Sequence, residues 1–454
     1  LDKAYGGLRH ALKQVHVRGD LRALLRELRR YLQINGYRGA FGPGRVREDL
    51  AALDQADPLA NLRDRFELPA GVIYLDGNSL GPLPKNVPAR ITEVVERQWR
   101  DDLIRSWNIH DWDRLPLSVG DRIAPLIGAG PGEVLVGDST SVNLFKLMAA
   151  GLELRPKRKV IVSQSGNFPT DIYLAEGLIR QLGAGHELRL VDGDDVLGAI
   201  DDDVALVSLT QVDYRSGYVQ DLAAVTAAAH DAGALMLWDL SHSAGVMAVD
   251  LAGVGADFAV GCSYKYLNGG PGAPAYLYVA QHLQDQVRQP LSGWHGHAAP
   301  FEFETHYRPA PGIVRQRCGT PSVLGMSVLD AALDVFEGLD MAAVRAKSQA
   351  LTGQFIDLTE QRCGGHGFTL ATPREPARRG SQVSWHHENG YPIMQALIAD
   401  GVIGDFRSPD ILRFGFAPLY LRYVDVWDAV TVLERVLAEG LWDRPEYHAR
   451  AAVT

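Results

Sequence analysis

The sequence predicts an α/β fold: a mainly parallel sheet covered on both faces, followed by a smaller α+β unit. Three observations predict it. Between residues 134 and 260, short and nearly continuous apolar runs alternate with helical stretches, and strands of that kind belong to sheets buried on both faces. Polar residues collect at the ends of successive runs, at Thr210, Asp239, His242, Tyr264 and Lys265. From about residue 328 the alternation gives way to long helices and then to shorter alternating segments.

The bulk numbers set limits. A chain of 454 residues has room for two or three domains. Its composition, 46% hydrophobic and 22% charged, is that of an ordinary globular protein. A formal charge of -10 argues against nucleic acid or an anionic membrane as main partner. The three cysteines, Cys262, Cys318 and Cys363, form no CxxC and no metal spacing, as expected in a reducing compartment. No apolar run approaches the roughly 20 residues of a membrane span. The chain starts without a signal-peptide core. The expectation is a soluble cytoplasmic protein. A first residue other than Met is what a fragment or processed product would show.

Residues 1–46 stand apart. Apolar residues recur at 21, 24, 25, 28, 31 and 32 with an arginine-rich opposite face, which predicts an amphipathic helix capped by Asp20. A glycine-rich linker follows over 36–47. A second helix starts at Arg47, and a short strand covers Val72 to Leu75. The turn 76–84 is rich in Gly, Asn and Pro, and such loops often carry binding groups. A helix from Pro88 to Trp99 precedes a polar-aromatic stretch over 106–112.

Gly128-Ala-Gly-Pro-Gly132 resembles a dinucleotide fingerprint but fails as one. Glu133 stands where the third glycine belongs, and a strand, Val134 to Val136, follows instead of a helix. Residues 137–141, Gly-Asp-Ser-Thr-Ser, lead into an apolar helical run over 142–150. Small hydroxyl residues at a helix start can cap it or hold a phosphate.

The βα units come next. Strands at 160–162, 205–209, 234–238 and 258–260 lead to Asn167, Thr210, Asp239 and Lys265. In an open parallel sheet, ligands bind beyond the carboxyl ends of the strands. Beyond them, helices are predicted over 329–338 and 341–363, strand-like segments at 382–386 and 411–416, and a closing helix over 424–440.

Asp239 and Lys265 end two consecutive apolar strands, 26 residues apart. Singly, an aspartate there is a helix cap and a lysine a surface charge. Together they specify a cofactor. A buried aspartate can hold a pyridinium nitrogen protonated, and a lysine can bond the aldehyde carbon of pyridoxal 5'-phosphate. The helix start at 138–141 would take the phosphate, and Phe168 could lie against the ring.

At this point the chain resembles the kynureninases, fold-type-I pyridoxal-phosphate enzymes. The matching stretches are 74–81, 138–144, 167–171, 238–243, 263–272, 291–301, 317–321 and 412–420. The resemblance runs from about residue 48 to the C-terminus and leaves out 1–46. It implies a large domain with a mainly parallel, seven-stranded sheet over 106–328 and a small α+β domain over 329–454. Residues 47–105 would join the small domain, and 1–46 would be a helical extension and linker.

The resemblance also implies roles. Lys265 would bond the cofactor and move the Cα proton, and Asp239 would pair with the ring nitrogen. Thr140, Ser141, Phe168, Pro169, Thr170, Asp171, Thr210, His242 and Tyr264 would line the cofactor pocket, with Tyr264 near the phosphate. Tyr264 would relay a proton in the later steps, given a lowered pKa. Trp294 and Thr320 would reach the cofactor of the partner subunit, making a homodimer. Arg413 would clamp the substrate α-carboxylate, and Asn78, Ser79 and Trp107 would contact the aryl end. The implied reaction is hydrolysis of L-kynurenine, or its 3-hydroxy form, in tryptophan degradation. Water adds to the side-chain ketone, the Cβ–Cγ bond breaks, and anthranilate and L-alanine leave.

Two other readings compete. A cysteine desulfurase-like lyase shares the fold type and the lysine, but needs a reactive cysteine on a mobile loop. A metal hydrolase could use His295 and His297, but no third ligand accompanies them.

Overall fold

The computed structural model describes residues 46–193 and 195–450; the arginine-rich helix expected over 20–32 lies outside them. The chain divides into two compact units, residues 1–52 and 53–454. Of the first, the described residues are 46–52, which open the helix Arg47–Gln55. The sheets and the sites belong to the second unit.

Seven strands form the main sheet: β1 (Val134–Val136), β2 (Val160–Gln164), β3 (Glu187–Val191), β4 (Val204–Thr210), β5 (Leu235–Asp239), β6 (Phe258–Gly261) and β7 (Tyr276–Val279). Their order is β1-β7-β6-β5-β4-β2-β3. Only β7 runs antiparallel to its neighbours. Strands β4, β5 and β6 are buried along their whole length, as their unbroken apolar runs predict. Helices α1 (Thr140–Leu154), α2 (Pro169–Leu182) and α3 (Leu222–Asp231) carry the crossovers. Leu144, Leu147 and Met148 of α1 pack into one apolar cluster with Leu206, Leu237 and Val260 of the sheet.

Two strands of this sheet escape the sequence pattern. Strand β3 lies at the edge and is partly exposed, so its run mixes Glu187 and Arg189 with leucines. Strand β7 follows a turn, not a helix. After Lys265 the chain doubles back through Asn268, Gly270 and Gly272, all at positive φ, and returns antiparallel beside β6.

The C-terminal region holds α4 (Val323–Ala332), α5 (Met341–Cys363), α6 (Gly390–Ala399) and α7 (Tyr423–Ala438). Helix α4 begins six residues before the predicted 329, and its regular turns end at Ala332. A four-stranded sheet, β8 (Thr369–Leu370), β9 (Gln382–His386), β10 (Asp405–Arg407) and β11 (Ile411–Gly415), is ordered β8-β9-β11-β10 and antiparallel throughout.

The turn after Tyr74 is pinned between the two sheets. Ile73–Tyr74 pairs parallel with Val402–Ile403. Gly415 N–H donates to Leu75 O at 2.6 Å, and Gly81 N–H donates to Tyr264 O at 2.8 Å. Gly81 must be glycine, because a Cβ there would lie 2.4 Å from Lys265 O.

Candidate active site

The register of the main sheet sets one row of side chains. Thr210 stands opposite Asp239, and Asp239 opposite Val260, at the carboxyl ends of β4, β5 and β6. Beyond them opens a cavity of about 220 Å³. Thr140, Ser141, Phe168, Thr170, Asp171, Thr210, Asp239, His242, Tyr264 and Lys265 line it. Ten of the residues expected at one site therefore come together from five separate segments. Pro169 starts α2 beside them.

Two of the residues that line the cavity are buried acids. Asp239 is buried, and its Oδ1 accepts the Ser241 N–H at 2.7 Å. Burial raises its pKa, while the Ser241 contacts and Lys265 hold it down. Burial, and then the Asp239 charge, push Asp171 well above the usual carboxylate range. Asp171 Oδ2 is buried with no hydrogen-bond partner. Two adjacent buried acids with an orphaned oxygen call for a cationic N–H.

The start of α1 suits an anion. Ser139 caps α1, its hydroxyl accepting the Val142 N–H at 3.3 Å. Thr140 and Ser141, the first residues of the helix, line the cavity, and its first turn holds no acidic residue. Of the two alternatives in the sequence, the cap is supplied by Ser139, which leaves Thr140 and Ser141 to line the cavity.

The lining also includes an amine and an aromatic face. Lys265 Nζ is 3.0 Å from His242 Nε2. Burial, with the charges of Lys265, Arg413 and Arg407, holds His242 well below its ordinary pKa. A neutral imidazole accepting at Nε2 carries its proton on Nδ1, which is buried without a partner. Phe168 meets Tyr214 edge-on at 5.2 Å. Asn167 braces the wall: its Oδ1 accepts from the Phe168 N–H at 2.8 Å and from the Thr210 hydroxyl. Burial pushes the Tyr264 phenol above its usual pKa, with Cys262 and Asp239 adding to the effect. This is opposite to the lowering expected of a relay at Tyr264.

A buried charged cluster adjoins the cavity. Arg413 on β11 donates through Nε to Asp405 Oδ1 at 2.8 Å and through Nη2 to Oδ2. Its Nη1 donates to Tyr214 O at 2.7 Å. Arg407 reaches the same Asp405 at 2.7 Å. Ser79, expected at the aryl end, belongs to this cluster: it donates to Asp405 Oδ2 at 2.7 Å and accepts from Arg413 Nη2 at 3.0 Å. Asn78 is buried against Gly415, and its amide atoms have no hydrogen-bond partner.

Three further expected residues lie neither in the Lys265 cavity nor in this cluster. Trp107 stacks on His295 at 6.1 Å, and Trp294 contacts the same ring at 4.0 Å. Thr320 lines a second cavity, of about 250 Å³, with Lys146, Cys318 and Gly319. His295 bonds Arg317 and Asp113 instead of joining His297. Among the described residues, no group of three or more His, Cys, Asp or Glu is arranged to hold a metal.

Sequence reasoning missed Tyr214, Ser241, Asn167, Asp405 and Arg407 as site residues. Ser241 sits between Asp239 and His242 in the sequence and Asn167 borders Phe168, so adjacency could have found both. Tyr214 comes from an irregular loop, and Asp405 and Arg407 from a three-residue strand, where no periodicity exists to read.

Comparison with known proteins follows the same lines. The family model for the kynureninase C-terminal domain matches residues 344–433. A protein named kynureninase from Burkholderia pseudomallei (strain 1106a) is 55% identical over 415 residues, 90% of this chain and 100% of that protein. Among solved structures, a C-DES mutant with glycine covalently linked to its PLP cofactor superposes with a TM-score of 0.71 at 16% identity, covering 82% of this chain and 98% of that one. The cysteine desulfurase of Thermococcus onnurineus NA1 gives 0.68 at 21% identity, covering 88% and 100%. These two share the fold. No cysteine lines the Lys265 cavity.

Proposed function

The chain belongs to the kynureninase family, and from that premise we propose that it hydrolyses L-kynurenine, or its 3-hydroxy form, with pyridoxal 5'-phosphate as cofactor. Water is consumed, the Cβ–Cγ bond breaks, and the products are anthranilate, or its 3-hydroxy form, and L-alanine. The observation that carries this reading is one cavity bounded by Asp239, Lys265 and the start of α1. The orphaned Asp171 Oδ2 and the start of α1 suit a flat ligand that is cationic at one end and anionic at the other. The residues present therefore fit the cofactor. Bound there, it supplies an electron sink for negative charge developing at the substrate's Cα and Cβ.

The chain's own groups do the rest. Asp239 holds the proton on the ring nitrogen. Thr140 and Ser141 hold the phosphate at the start of α1. Phe168, Thr170 and Asp171 border the ring, with Thr210 and His242 orienting it. Lys265 takes the proton from Cα. The Tyr264 hydroxyl, held protonated by burial, donates to an oxyanion or returns a proton to carbon. Arg413 binds the substrate α-carboxylate, supported by Ser79. Asn78 and Trp107 serve the aryl end.

The same reading extends to assembly. Trp294, Phe301 and Phe303 form an exposed aromatic group, 41%, 68% and 75% accessible, with Trp294 5.6 Å from Phe301. Exposed apolar patches of this kind mark interfaces. A homodimer in which Trp294 and Thr320 complete the partner's site gives them a purpose. In this reading a large domain over 106–328 carries the cofactor, and a small domain over 329–454, joined by 47–105, carries Arg413. The three free cysteines suit a cytoplasmic setting, and the reaction suits tryptophan degradation.

The test is product analysis. Purified protein loaded with pyridoxal phosphate is given L-kynurenine or L-cysteine. Equimolar anthranilate and L-alanine from the first support the reading. L-alanine with released sulfur from the second alone would move the chain to the desulfurase class.

A further inference from the structure

The turn after Tyr74 brings a second carboxyl group to the Arg413 cluster. Asp76 bridges to Gly415, at the end of the strand that bears Arg413. Its Oδ1 is shut off from solvent and has no hydrogen-bond partner. The charged groups facing it are Asp405 and Arg407 on β10 and Arg413 on β11. The Ser79 N–H in its own turn donates to the Asp76 backbone carbonyl at 2.9 Å, and the phenols of Tyr74, Tyr266 and Tyr420 lie close enough to feel its charge. Burial first, and then the Asp405 charge, push Asp76 up to about 7. Asp405 itself is held below the usual range by Arg413 and Arg407 against its burial.

Charge balance then decides what the cluster can accept. Two guanidinium groups against ionised Asp405 leave one positive charge when Asp76 is protonated. That matches one incoming carboxylate. With Asp76 ionised the cluster is neutral, and the same carboxylate would leave an uncompensated negative charge beside buried groups, which is costly. Arg413 is itself 2% exposed and already spends its fork on Asp405. Arg407, 37% exposed, shares Asp405 with it and supplies the second positive charge of the cluster.

We propose that Asp76 takes up a proton when the substrate α-carboxylate docks on Arg413, so that anion and proton enter the site together. Asp76 is thus a positioning residue that sets the charge of the carboxylate subsite. The proposal rests on the reading that Arg413 receives the α-carboxylate.

The test measures protons, not turnover. The probe is the desamino analogue 3-(2-aminobenzoyl)propanoate, whose carboxylate is ionised throughout the range used. Its binding to the cofactor-loaded protein is followed by calorimetry from pH 6 to 9, in buffers of different ionisation heat. At pH 8 the parent is expected to take up close to one proton per site, with affinity falling up to tenfold per pH unit above about 7. Asp76→Asn is expected to take up none and to bind with no such slope. No uptake by the parent at pH 8, or undiminished uptake by Asp76→Asn, would overturn the proposal; the first outcome needs no variant to fold. Arg413→Lys keeps the charge but loses the fork. If it binds the analogue as tightly as the parent, the Arg413 reading itself fails. If it binds at least tenfold more weakly while the parent takes up no proton, only the Asp76 proposal fails.

Discussion

Arg413 lays Nε and Nη2 along the two carboxylate oxygens of Asp405, and both side chains are 2% exposed. The pair joins β10 to β11 in the small sheet and ties that sheet to the Tyr214 loop beside the Lys265 cavity. Removing one partner strands the other. Arg413→Met is expected to lower stability by about 3 kcal/mol, because buried Asp405 keeps only Arg407 as counter-charge. Adding Asp405→Leu should recover at least half of that loss. Denaturant unfolding of the single and double variants checks it. Strictly additive losses would mean that the two side chains do not act as a pair.

Asp171 and Asp239 give the cofactor-free protein a pH signature. The folded-state pKa of Asp171 is raised above its unfolded value by burial and the neighbouring charge. Such a group weakens the fold as pH rises from about 4 toward its folded pKa, since the unfolded chain ionises first. Asp171→Asn removes the penalty. The cofactor-free variant should match the parent in melting temperature near pH 4 and exceed it increasingly toward pH 8. A difference that shrinks with rising pH would reverse the assigned sign.

Much of this site was legible in the sequence, and the reason is geometric. A parallel sheet presents the carboxyl ends of its strands along one rim, so residues that end apolar runs become neighbours without further information. Thr210, Asp239 and Lys265 were found in this way, and the buried strands β4, β5 and β6 with them. The charged cluster was legible only in part: Arg413 and Ser79 came through the resemblance, while Asp76, Asp405 and Arg407 did not come at all. Asp76 and Asp405 lie 329 residues apart in sequence, on a turn and a three-residue strand, where no period marks a face. Strand β7 was hidden because a tight turn after Lys265 replaces the crossover helix that βα alternation predicts. The direction of the Tyr264 shift was also out of reach, since it depends on how deeply the phenol is buried.

That direction leads to a kinetic expectation. A phenol pushed above its usual pKa remains protonated across neutral pH and acts by donating. Tyr264→Phe should lower turnover on the order of 10²–10⁴-fold, while the cofactor still bonds Lys265 and keeps its visible absorbance. Full turnover in the variant would remove Tyr264 from the proton path. Loss of the absorbance would assign it to cofactor binding instead.

The most direct measurement is a single-turnover reaction of cofactor-loaded protein with L-kynurenine, followed by anthranilate fluorescence beside a Lys265→Ala control. Stoichiometric anthranilate from the parent and none from the variant is the predicted result. A parent that carries bound pyridoxal phosphate, with its visible absorbance, and yet releases no anthranilate would contradict the assignment of this reaction to the cavity at Lys265.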